Sequence, residues 1–282
     1  MVRRSVLFSP GDRPDLLRKA PQTGADVVVF DLEDAVVPDQ KDTARDAVAD
    51  VVASLSADCE VCVRINPLDS GGRTDIDALT ALPDSVMLPK VTTPDTVARV
   101  SELLADRGKT LPVLALLETA DGILAAPEIA AASATDAVLF GAEDLSADIG
   151  ATRTAAGEEV LYARQRVVLS AARAGVDAID TLYTDFEDTD GLREDARRAQ
   201  QWGFDGKMAI HPAQVTVINE TFTPEPEQVE WAKRVIAARE EADADGRGVF
   251  AVDGEMIDAP LIAQAETILD RAQANVPNES SE

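Results

Sequence analysis

The sequence predicts an α/β fold, a closed (β/α)8 TIM barrel with a C-terminal helical and hairpin extension. Three observations predict it. Eight short apolar runs recur along the chain, stretches of helical spacing separate most of them, and several runs end in Asp, Glu, Arg or Lys. Alternating strand and helix builds a parallel sheet, and eight such units close a barrel. In that architecture chemistry collects at the C-terminal ends of the strands.

The expected strands cover residues 6–8, 27–31, 62–66, 86–90, 113–118, 137–144, 178–183 and 208–211. Val27-Val28-Val29-Phe30 and Val113-Leu114-Ala115-Leu116-Leu117 are apolar at every position, as strands covered on both faces should be. Helical spacing marks residues 43–55, 94–104 and 158–174. Beyond the eighth strand, Pro224 and Pro226 precede a helix expected over about 227–242, which the stretch 243–246 should break. Apolar segments at 249–252 and 256–260 flank Asp253-Gly254 like a hairpin, and a last helical pattern runs over 261–274, ahead of a polar tail at 278–282. The reading divides the chain into a barrel domain, 1–222, and an extension, 223–282. The extension has no barrel position, so it is a candidate to pack on another subunit.

The chain has 282 residues, 45% of them apolar, which suits one barrel plus a modest extension. No apolar run approaches the roughly 20 residues a membrane span needs. Arg3 and Arg4 lead straight into a strand with no leader-like segment, so a cytoplasmic location is expected. The net charge is −26, from 52 acidic and 26 basic residues. Such a surface repels nucleic acid and anionic lipid, and it reads as a solvated, halophilic surface whose repulsion salt screens. Cys59 and Cys62 form the one thiol motif; no second pair or His cluster completes a zinc site, so inert thiols are expected.

Glu118 ends the fifth strand and Asp144 the sixth. Adjacent strands lie about 5 Å apart, so the two side chains can share one ion. All-oxygen ligation from few residues suits Mg²⁺, which takes its remaining ligands from water and substrate. The alternative is that each carboxylate caps the helix after its strand. Arg64, flanked by apolar residues, needs an anionic partner. That partner is either a substrate carboxylate or developing oxyanion, or a structural pair with Glu33, Asp34 or Glu118. Five of the 26 basic residues fall in the first 19, namely Arg3, Arg4, Arg13, Arg18 and Lys19. A phosphate-bearing ligand held by Arg13 and Lys19 would explain them; so would pairing with the protein's own acids. His211, the one histidine, reads as a hydrogen-bonded structural residue more readily than as a base. No G-x-G-x-x-G, Walker or G-x-S-x-G motif is present.

Seven blocks in order resemble one family, the CitE-like branch of the HpcH/HpaI aldolase and citrate lyase β-subunit superfamily. They are Arg4-Ser5 through Pro10-Gly11, Asp31-Leu32-Glu33-Asp34-Ala35-Val36, Arg64-Ile65-Asn66-Pro67, Leu88-Pro89-Lys90, Glu118-Thr119 with Gly122, Gly141-Ala142-Glu143-Asp144-Leu145, and Gly206-Lys207 with Ile210-His211-Pro212. The resemblance implies a Mg²⁺-dependent barrel acting on short hydroxyacyl-CoA thioesters, assembled as a homotrimer or homohexamer. It implies Glu118 and Asp144 as metal ligands and Arg64 facing the thioester oxygen. Phe8, Arg13 and Lys19 fall where members contact CoA, and Glu143 where substrate and metal waters are oriented, with Glu33 and Asp34 behind. Asp258, in Met256-Ile257-Asp258-Ala259-Pro260, resembles a residue that reaches a neighbouring subunit's active site. The implied reaction is reversible Claisen-type cleavage of malyl-CoA or a relative into acetyl-CoA or propionyl-CoA and an α-keto acid. A (3S)-malyl-CoA thioesterase and a citryl-CoA lyase subunit are the alternatives.

Overall fold

A computed structural model describes residues 2–244 and 249–273. The expected break at 245–246, the end of the last helix at Ala274 and the tail at 278–282 lie outside the described residues. The chain divides into two compact units. One spans Arg3–Glu220, and the other holds Val2 and the described residues from Thr221 onward.

The first unit is the barrel. Its strands are β1 (Ser5–Pro10), β2 (Val27–Asp31), β3 (Glu60–Arg64), β4 (Ser85–Leu88), β5 (Val113–Leu117), β6 (Thr135–Phe140), β7 (Asp177–Asp180) and β8 (Gly206–Ala209). Each pairs in parallel with the next, and β8 returns to β1 through Val6 opposite Met208, closing the cylinder. The helices are α1 (Pro14–Lys19), α2 (Lys41–Ser54), α3 (Gly72–Ala78), α4 (Pro94–Ala105), α5 (Ala120–Leu124), α6 (Ala126–Ala130), α7 (Ala142–Asp148), α8 (Leu161–Ala174), α9 (Thr189–Trp202) and α10 (Pro212–Phe222). Proline sits in the first turn of α1, α4 and α6, where its missing N–H costs no hydrogen bond.

Side chains alternate across each strand. Val6, Val27, Val29, Cys62, Met87, Leu114, Leu116, Ala137, Leu139, Ile179 and Met208 pack together as one cluster. Leu7, Val28, Phe30, Val63, Val86 and Leu117 are buried as well, on the alternate positions. That double burial explains the uninterrupted apolar runs, and each such side chain contributes about 1.5–3 kcal/mol. Cys62 lies inside the barrel, where burial pushes its thiol up to about 12; burial likewise pushes Cys59 up to about 11. Both thiols are protonated at neutral pH and poor nucleophiles.

Arg3 closes the opposite end of the barrel. Its guanidinium reaches Glu60 at 2.7 Å, Asp136 at 2.6 Å and Asp177 at 2.9 Å, tying the starts of β3, β6 and β7 to a residue two positions ahead of β1.

The second unit contains α11 (Pro226–Ala244), β9 (Phe250–Val252), β10 (Glu255–Ile257) and α12 (Ala259–Gln273). β9 and β10 are antiparallel, joined by Asp253 and Gly254 with φ of 53° and 85°, the left-handed pair that a two-residue hairpin requires. Ala232, Val235, Val252, Ile257 and Ala265 form a separate core.

Candidate active site

Within the barrel unit, a cavity of about 320 Å³ is lined by Phe8, Asp31, Asp34, Arg64, Glu118, Glu143 and Asp144 among others, with Leu116, Leu182 and Met208 as apolar walls. A larger cavity of about 480 Å³ shares Glu143, Thr181 and Leu182 with it. The smaller one holds the strand-end acids, and those make it the candidate site.

Glu118 follows β5 directly and is 2% exposed. Lys90 donates its backbone N–H to Glu118 Oε1 at 2.8 Å. Gly141 lies so close that a Cβ there would come within 2.6 Å of Glu118 Cβ and 2.8 Å of Oε2. Thr119, not Glu118, caps α5: its hydroxyl accepts the Gly122 N–H at 3.1 Å. Asp144 sits in the first turn of α7, where no side chain makes a capping hydrogen bond. Neither carboxylate makes a capping hydrogen bond, although Asp144 keeps the first-turn place that a helix N-terminus favours for an acid. Burial, and next the charge of Asp144, push the Glu118 carboxyl up to about 8.

Five carboxylates and one guanidinium line the cavity. Among the described residues no group of three or more His, Cys, Asp or Glu could hold a metal by itself. Glu118 and Asp144, two acids on one cavity, still suit a hard cation that draws its other ligands from water and substrate. The residues present therefore fit Mg²⁺.

Arg64 is held differently from the expected pairings. Its principal partner is Asp31, its register neighbour on β2: Nε donates to Oδ1 at 2.7 Å and Nη2 to Oδ2 at 2.5 Å. Nη1 lies 3.1 Å from Glu33 Oε2 without hydrogen-bond alignment, leaving that buried oxygen unsatisfied, and 4.0 Å from Asp34. Although burial opposes its charge, the bonds to Asp31 outweigh that cost and hold the guanidinium charged. It rests over the Phe8 ring, 4.9 Å from the centroid. Phe8 also lines the cavity.

Glu33 does not line the cavity; it is buried between Arg64 and Lys90 Nζ, with a short hydrogen bond to the latter. Asp34 and Glu143 do line it, and Arg153 Nε donates to Glu143 at 2.9 Å. The basic cluster of the first 19 residues is split. Arg3 is spent on Glu60, Asp136 and Asp177, and Arg4 on Asp26 at 2.8 Å. Arg13 is exposed, 3.8 Å from Asp12, and Lys19 is exposed in the last turn of α1; neither lines the cavity. His211 accepts the Ala213 N–H on Nδ1 and stacks on Phe186, a structural placement. Asp258 belongs to the second unit, exposed at the start of α12, where its carbonyl accepts the Ile262 N–H at 3.0 Å.

Two supporting residues, Lys41 and Asn66, carry no obvious sequence signal. Lys41 Nζ donates to the carbonyls of Leu32 and Glu33 and to Asn66 Oδ1, wrapping the loop after β2 around an ammonium. Asn66 Nδ2 donates to the same Leu32 carbonyl at 2.8 Å.

Residues 4–212 match the family model described as HpcH/HpaI aldolase/citrate lyase. The chain is 39% identical to the mitochondrial citramalyl-CoA lyase of Mus musculus, covering 95% of this chain and 85% of the mouse protein. It is 38% identical to a (3S)-malyl-CoA thioesterase of Cereibacter sphaeroides, covering 96% and 95%. Among solved structures it resembles CitE from Mycobacterium tuberculosis in complex with magnesium, acetoacetate and coenzyme A, with a TM-score of 0.81 and 39% identity over 96% of this chain and 98% of that one. With its strand-end acids and paired arginine on a closed parallel barrel, the chain belongs to the HpcH/HpaI aldolase/citrate lyase family of enzymes.

Proposed function

We propose that this chain is a Mg²⁺-dependent lyase that reversibly cleaves a short 3-hydroxyacyl-CoA, malyl-CoA or a relative, into acetyl-CoA or propionyl-CoA and an α-keto acid. The observation that carries the reading is the meeting of Glu118, Asp144 and Arg64 on one cavity. Glu118 and Asp144 would hold the ion. Bound Mg²⁺ supplies positive charge to the hydroxy-acid end of the substrate as the carbon–carbon bond breaks.

Arg64 faces the thioester oxygen as the bond's electron pair moves onto it, and its Nη1 side, free of aligned hydrogen bonds, is the part available. Asp31 and Phe8 keep the guanidinium in that pose. Asp34, Glu143 and, behind them, Glu33 orient polar groups around the ion. Arg13 and Lys19 meet the phosphates of CoA outside the cavity. As the substrate hydroxyl becomes the keto oxygen its proton leaves to solvent, and Asp258 of a neighbouring copy, itself re-protonated from solvent, protonates the enolate carbon, within a homotrimer or homohexamer.

Identity does not separate lyase from thioesterase, since the two curated relatives lie within one per cent of each other. Products do. Incubation with Mg²⁺ and malyl-CoA or citramalyl-CoA in concentrated KCl should yield acetyl-CoA and an equal amount of keto acid by mass spectrometry. Free CoA without acetyl-CoA would establish hydrolysis instead. Asp144→Ala should lower turnover roughly a thousandfold without unfolding the barrel, the size expected when several kcal/mol of charge stabilisation is lost. Mixed with an inactive Asp258→Ala protein and reassembled, it should regain activity, because some sites then combine both intact residues. Failure to complement would sink the neighbour's role.

A further inference from the structure

Among the described residues, two that are not glycine have positive φ, Lys90 and Asp253. Asp253 is explained by its hairpin turn. Lys90, at 51°, stands just past β4, where a left-handed side-chain-bearing residue is sterically disfavoured. Strain of this kind persists where surrounding contacts over-determine it, often at a functional site.

The conformation has a definite consequence. The next residue, Val91, returns its N–H to the Leu116 carbonyl of β5 at 3.3 Å. The Lys90 N–H instead leaves the ladder and donates to Glu118 Oε1 at 2.8 Å. Its ammonium is tied to Glu33 by a short hydrogen bond and lies 3.7 Å from Asp34, which holds the residue in its turn. Glu118 Oε2 is left on the β6 side, against Gly141, the strand end from which Asp144 follows.

We infer that Lys90 is a positioning residue for the cation site: its left-handed backbone aims an amide at one oxygen of Glu118 and so presents the carboxylate to an ion shared with Asp144. The inference rests on the proposed reading of Glu118 and Asp144 as ligands. Partners that orient metal ligands typically set affinity by 10- to 100-fold.

The test measures Mg²⁺ and Mn²⁺ affinity of the full chain by calorimetry and by the Mn²⁺ electron paramagnetic resonance signal, with no substrate and no turnover. Replacing the residue-90 amide by an ester, through nonsense suppression with the α-hydroxy acid of lysine, deletes only the N–H donor. Affinity should fall about tenfold. Lys90→Gly keeps the amide and adopts positive φ without strain but loses the ammonium that holds the turn, so its affinity should fall less than that of the ester protein; a larger fall would place the role in the side chain and overturn that of the amide. If the ester protein does not fold, Gly141→Ala presses on the same carboxylate from the other side and should weaken binding comparably. An ester or Gly141→Ala protein that binds as the parent does overturns the positioning role, provided Glu118→Gln abolishes binding. If Glu118→Gln binds normally, the ligand reading itself falls, and the two failures are thereby told apart.

Discussion

Glu118 is the residue on which most of the site's electrostatics turns. An exposed glutamate ionises near pH 4.3. Here burial first, and the charge of Asp144 second, raise the carboxyl to about 8, so at neutral pH a proton competes with any cation for it. The sign follows directly: protonation removes a ligand, so apparent Mg²⁺ affinity should climb as pH rises toward about 8 and level off above it. The climb approaches tenfold per pH unit if this one proton governs binding. Calorimetric titrations between pH 6 and 9 check this, and a flat profile over that range would be wrong for a single buried acid ligand. Arg64 presents the converse case. Its charge is secured by Asp31 and flanked by Glu33 and Asp34, and it is pinned over Phe8, so its orientation is set before any substrate arrives. The need for Arg64 to meet an anion was legible in its apolar flanks. That Asp31 is the principal one became visible only with the register of β2 against β3.

At the scale of elements, the outer wall around β7 and β8 contains a buried charge network that no catalytic role requires. Lys207 is completely buried and reaches Asp180 at 2.7 Å and Asp195 at 2.6 Å. Arg164 on α8 binds Asp180 at 2.5 Å and Asp195 at 3.1 Å while lying over the Trp202 ring. Two cations and two carboxylates thus cancel, which makes the burial tolerable, and breaking one pair strands a charge. Burial acts to raise the Asp195 carboxyl, but Lys207 and Arg164 outweigh it and hold it down at about 2. Because an unfolded Asp titrates near 3.9, the resulting stability is fully present above about pH 4 and is lost as pH falls through about 2. The loss amounts to roughly 2 kcal/mol. Chemical denaturation of wild type and Asp195→Asn from pH 5 downward should show their stability difference shrinking by about that amount. A constant difference would mean that the ion pairs do not depress this carboxyl. The strands and longer helices were legible from runs, spacing and prolines. The network was not, since Arg164, Asp180, Asp195 and Lys207 are far apart in sequence and each reads as an ordinary surface charge.

For the whole molecule, a net charge of −26 means that self-repulsion opposes compactness at low salt. Raising ionic strength from about 0.1 M to about 2 M shortens the screening length from roughly 10 Å to under 3 Å. The melting temperature should therefore rise by several degrees over that range in KCl; an unchanged or falling value in differential scanning calorimetry would show that the acidic surface is already neutralised by its own ion pairs. No helix among the described residues is long and apolar enough to cross a membrane. What the amino-acid order determined unaided was the periodic part of the protein: eight strands, the helices between them, and the hairpin built on Asp253-Gly254. Local sterics and apolar patterning dictate such elements within a few residues of themselves. The end of β5, and with it Glu118, came with them; β6 stops at Phe140, short of the expected 144, because the chain turns into α7 there, so Asp144 stands in the first turn of that helix rather than on a strand end. Tertiary structure alone decided which charges meet. It set Arg64 against Asp31, turned the Lys90 amide toward Glu118, and sent Arg3 and Arg4 to acids at the start of the strands while Arg13 stayed in solvent. Coulomb and hydrogen-bond energies depend on separations of a few ångströms between residues tens of positions apart, and closure of the barrel is what fixes those separations.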